Sequence, residues 1–118
     1  MRKPSLLFFI AAGLFSVISA QAALARPDIY LSAFEYGASV DVCLEGAEQA
    51  LIDAGFTENI EIDEIDEKLA LIDGEMPSDA VTADILCDQS LGVTVLSVSG
   101  LDVDLTYDKY TELFDSEW

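Results

Sequence analysis

Along the chain the spacing of apolar residues changes period several times, and each change marks an element. After Pro27, "DIYLSAFEY" is rich in β-formers and aromatics and ends at the turn signal Gly37, which predicts a first strand. From Ser39 onward Val40, Cys43, Leu44, Ala47, Leu51 and Ala54 recur at helical spacing, while Asp41, Glu45, Glu48 and Asp53 fall elsewhere. That is the stripe of an amphipathic helix with Cys43 on its buried face. Ser39 is placed to cap it, Asp41 to favour the positive end of its dipole, and Gly55 to take the left-handed position that stops it. Phe56 should then fold back onto the last turn.

Beyond Phe56 the period becomes two. Ile60 and Ile62 alternate with Glu61 and Asp63, and Leu69 and Leu71 with Lys68 and Ala70, so strands replace helix. The run "GEMPSD" breaks the pattern at Gly74, Pro77 and Ser78. "AVTADILC" resumes it with Val81, Ala83, Ile85 and Cys87 on one face. After the turn "DQSLG", the stretch "VTVLSVSG" is apolar on both sides, which predicts a central strand ended by Gly100. A last helix follows, capped by Asp102 or Asp104, with Val103, Tyr107, Tyr110 and Phe114 as its stripe.

The order β-α-β-β-β-β-α predicts an α+β domain over residues 26–118: an antiparallel sheet of four to five strands with two helices on one face. Cys43 on the inner face of the first helix and Cys87 on the covered face of the sheet then point at each other.

Before that domain, Arg2 and Lys3 precede the apolar run Leu6 to Ile18, and small residues follow in "SAQAALA". Residues 1–25 read as a secretory signal peptide, cut after Ala22 or Ala25. The compartment this implies is oxidising, whether periplasm, medium or a thylakoid-type lumen. It favours pairing Cys43 with Cys87, the only cysteines in the chain. A domain this small buries a modest fraction of its surface, so such a staple matters. A redox-active or metal-bound cysteine pair is the weaker reading, because the two are far apart in sequence and the chain has no histidine.

Charge narrows the partners. The whole chain carries −18; removing residues 1–22 of 118 takes away Arg2 and Lys3 and no acid, leaving 96 residues at −20. Only Arg26, Lys68 and Lys109 stay positive. Nucleic-acid backbones and anionic membranes repel such a surface, whereas a basic exported protein is attracted to it. The same self-repulsion predicts that salt stabilises the fold.

The segments "CLEGAEQALIDAGF", "ADILC" and "GVTVLSVSG" resemble small exported bacterial proteins of unknown function. The likeness rests on Cys43, Ala47, Ala50, Leu51, Gly55 and Phe56, then Ala83, Ile85, Cys87, Gly92, Val93 and Val98, and spans about Val40 to Phe114. It implies the fold and the disulfide and no activity. The acidic stretch Glu58 to Ser78 departs from it.

Candidate chemistry is sparse. "ENIEIDEIDEK" offers Glu61, Asp63, Glu64, Asp66 and Glu67 as weak metal ligands, but a calcium loop needs oxygens converging around a sharp, usually glycine-assisted turn. On a strand these acids line an edge, where they also resist aggregation. In "DVDLTYD", Asp102 and Asp104 have the spacing that opens a calcium loop, with Asp108 beyond. Tyr107 stands where such a loop needs glycine, and Leu113 where it needs the closing glutamate, so helix capping is preferred. Without histidine, Ser-His-Asp and Cys-His catalysis and most catalytic zinc sites are excluded. Tyr30, Phe34 and Tyr36 share one strand face and read as packing ahead of a ligand platform. The expectation is a non-catalytic binding or interaction module without a cofactor, with weak calcium binding as the alternative.

Overall fold

The computed structural model describes residues 26–77 and 80–118; the predicted leader, residues 1–25, lies outside them, as does Ser78 of the predicted break. Seven elements follow in the expected order: β1 (Asp28–Glu35), α1 (Val40–Asp53), β2 (Glu58–Asp66), β3 (Leu69–Glu75), β4 (Val81–Asp88), β5 (Val93–Gly100) and α2 (Val103–Phe114). The five strands form one sheet in the order β1-β5-β4-β3-β2, antiparallel throughout. Strands β2 to β5 are thus a meander, and β1 is laid against its far edge. Both helices cover one face, α1 over β3 and β4 and α2 over β5 and β1.

Local signals explain α1. The Ser39 hydroxyl accepts from the Val42 amide, and Val40, Cys43, Leu44, Ala47, Ala50 and Leu51 are buried. Gly55 adopts φ +93°, which costs glycine nothing, and the Phe56 amide then donates back to the Leu51 carbonyl at 2.9 Å. Phe56 is fully buried as a result. The two helices are tied where they meet: Lys109 Nζ donates to the Ala54 carbonyl at 2.7 Å, satisfying the negative end of α1, and pairs with Glu112 at 3.0 Å. Opposite α1, Val81, Ala83, Ile85 and Cys87 of β4 are buried, with Leu96 and Val98 of β5 beside them.

Three local expectations are corrected. Gly74 lies inside β3 and does not break it. A Cβ there would stand 3.3 Å from the Phe56 carbonyl oxygen, so the strand uses glycine to let the α1–β2 connection pass over it. Leu69 and Leu71, the apolar set chosen by alternation, are only half-buried, while Ala70 and Ile72 face the helices. Packing decided this: small Ala70 and Gly74 leave room for α1 and Phe56, and the larger leucines take the other face. On α2, capped by Asp102, the fully buried residues are Thr106 and Leu113; Val103, Tyr107 and Phe114 stay about half exposed. The aromatic stripe is rotated off the core toward β1.

Candidate functional site

Cys43 and Cys87 form a disulfide joining α1 to β4, and both are buried. Thr94 Oγ1 lies 3.4 Å from Cys43 Sγ. Beside it is a shallow hollow bordered by Tyr36, Val40, Gln89 and Thr94 that encloses essentially no volume, and so is no ligand pocket. Gln89 Oε1 accepts from the Val40 amide and so caps α1 across that hollow.

The acids of "ENIEIDEIDEK" lie on β2, an edge strand, and its turn. Glu61, Asp63 and Asp66 pair with Asp73, Leu71 and Leu69 of β3, Glu64 pairs with Ala70 on the opposite face, and Glu67 is in the hairpin turn. All five are exposed. They are strung along about 17 Å of strand at its ordinary rise per residue. Among the described residues no group of three or more acids or cysteines is disposed to hold a metal ion. At α2 the Asp102 carboxylate accepts from the Leu105 amide at 3.1 Å, Asp104 occupies the first turn, and Asp108 is exposed further on.

What the sequence reading did not single out is the face of the sheet that the helices leave bare. Cross-strand partners share a face and lie about 5 Å apart, so the register defines rows across it. One row runs Leu31, Ser97, Asp84, Asp73, Glu61, and the next Ala33, Val95, Leu86, Leu71, Asp63. The face is therefore graded: apolar toward β1, acidic toward β2. Three carboxylates, Asp84, Asp73 and Glu61, stand abreast on adjacent strands, an arrangement that costs stability. Its effect registers at Asp84, whose pKa is raised first by burial and then by the Asp73 carboxylate. The signal was present in "LALID" and "DILCD", where Leu71 and Leu86 occupy the phase opposite Ile72 and Cys87.

Behind the apolar end, on the helix-covered face of β1, lies an aromatic overhang. Tyr30 contacts Tyr107 and Tyr110 of α2 with ring centroids 5.3 and 5.7 Å apart, and Phe34 meets Phe114 at 6.3 Å and Trp118 at 5.7 Å. These are packing distances for edge-on and tilted rings. The α2 stripe thus seats on β1 rather than on the middle of the sheet. Its outer rings, Tyr107 and Phe114, remain 52% and 46% exposed.

No helix among the described residues is long and apolar enough to cross a membrane. Comparison with family models, with curated proteins and with solved structures returned no match.

Proposed function

We propose that the protein is a non-catalytic binding module, exported and disulfide-stapled, that holds a basic exported protein against the bare face of its sheet. The observation that carries this reading is the pairing of an apolar row, Val95, Leu86 and Leu71, with a carboxylate row, Asp84, Asp73 and Glu61, on one uncovered surface. Fold stability does not call for the carboxylate row, since like charges set side by side destabilise a sheet. A partner with lysines or arginines relieves that repulsion, and its apolar residues cover the leucines. Charge also speeds the encounter and makes it salt-sensitive.

Supporting the non-catalytic part are the lack of histidine and the small size of the hollow beside the disulfide. Export rests on the leader pattern and is consistent with a disulfide. The resemblance to small exported bacterial proteins belongs to the same proposal.

The test is a titration of the ¹⁵N-labelled oxidised mature chain with an amphipathic lysine–leucine peptide. Amide signals of Leu71, Leu86 and Val95 are expected to shift, with affinity falling as NaCl rises. Leu86→Lys should abolish the effect. Shifts elsewhere only, or binding indifferent to both salt and Leu86→Lys, overturn the assignment of this face.

A further inference from the structure

We propose that the edge of β1, unpaired among the described residues, is a docking site for an extended, cationic segment of a partner protein, which adds to the sheet as a sixth strand. The inference rests on the reading above for the partner's positive charge, and it adds where and in what conformation the partner binds.

An edge strand presents a row of unpaired amides and carbonyls, and native sheets blunt such edges with charge, proline or bulges. The β2 edge is blunted twice over: its register against β3 shifts at two places and acids crowd it. The β1 edge has neither device. Its eight residues pair with β5 without a shift from Asp28↔Gly100 to Glu35↔Val93, every residue between its two ends is uncharged, and Pro27 precedes the strand instead of interrupting it.

The space where a sixth strand would lie is apolar above and below. On the bare face Ile29 and Leu31 are 64% and 67% exposed; on the helix face Tyr107 and Phe114 overhang Tyr30 and Phe34. Side chains of a strand alternate between faces, so an apolar segment would bury one set beneath the rings and the other beside Ile29 and Leu31. Charge selects the occupant. Asp28 and Glu35 close the two ends of the edge, and Asp104 and Asp108 are exposed on α2, with Asp115 exposed at its C-cap. Lysine or arginine flanking the apolar segment would meet carboxylates at each end. A second copy of this chain is the poorer occupant, because it brings the same acids to a surface already at high negative charge.

The probe is a synthetic peptide as long as β1, alternating valine and threonine with lysine at both ends, added at low salt to the oxidised ¹⁵N-labelled mature chain. Two N-methylated forms, blocked at alternate residues in opposite phase, accompany it. Amides of β1 should shift and gain protection from exchange, and one methylation phase should lose affinity at least about tenfold while the other keeps it, because a strand pairs through one edge only. If both phases bind equally and only Leu71, Leu86 and Val95 respond, strand addition is wrong while the face assignment stands. If no peptide perturbs either surface up to about 1 mM, the threshold of weak specific binding, both fail. If the peptide-free chain is a dimer that Leu31→Lys dissolves, the edge belongs to a second copy and the cationic-partner proposal is overturned.

Discussion

The two edges of the sheet are built from opposite materials. β2 carries five carboxylates, with a sixth in its turn, two register irregularities and a non-glycine residue, Asn59, at φ 51°; β1 carries a regular register and apolar side chains on both faces. An acidic, irregular edge cannot template another strand, and a smooth apolar one can. Were negative charge in this protein only a general solubility device, it would be spread over both edges. Its concentration at β2, and its retreat from β1 to the strand ends and the outer side of α2, mark one edge as closed and the other as available.

Several experiments would break or sharpen that contrast. The largest effect is expected from removing the disulfide. In the chain-entropy model, opening a loop of this size costs up to about 4 kcal/mol, so Cys43→Ser should lower the melting temperature steeply. Hydrogen exchange should show the loss first in α1 and the β2–β4 side it covers, with β1, β5 and α2 holding longer. Uniform loss would mean that the two edges belong to one cooperative unit.

A smaller effect is expected from Asp84→Asn. Folding raises the Asp84 pKa, so the native state binds its proton more readily than the unfolded chain does. Stability from this site is therefore highest at acid pH and declines as pH climbs through the raised native value. Replacing the carboxylate should stabilise the protein by a few tenths of a kcal/mol to about 1 kcal/mol at neutral pH, the usual scale of a cross-strand like-charge pair, with the gain shrinking toward pH 4. Thermal melts across that range decide it; a gain equal at all pH values would show that neither burial nor Asp73 raises the Asp84 pKa on folding.

The smallest difference concerns the β2 acids and cations. Melting temperature should rise with NaCl, because screening relieves self-repulsion, and calcium should match magnesium at equal ionic strength. A calcium effect well beyond that of magnesium would signal binding to the native state and reopen β2 as a cation site.

Most of the architecture was legible because periodicity and punctuation agreed: Ser39, Gly55 and Asp102 sit at helix ends as their chemistry requires, and Cys43 and Cys87 meet where the two buried faces cross. What failed had a common cause. Periodicity says which residues share a face but not which face wins the core, and at β3 small residues outbid leucines because a helix and Phe56 had to come close. For the same reason the α2 stripe was misassigned: Thr106 and Leu113 look unremarkable in sequence, yet their positions relative to the helix axis put them underneath and turn the aromatics outward. The candidate site was almost illegible, since its rows join residues from four or five strands and exist only once register is set.

The order in which the strands arrive along the chain also has a temporal meaning. β1 leads the described chain, but Asp28 must wait for Gly100 and Glu35 for Val93, whereas β2, β3 and β4 find their neighbours across short turns. Contacts of such long sequence separation form late. During synthesis, then, a strand whose interior is wholly uncharged stays unpartnered longest in a very acidic protein, and an escort that shields it would be most useful before β5 emerges.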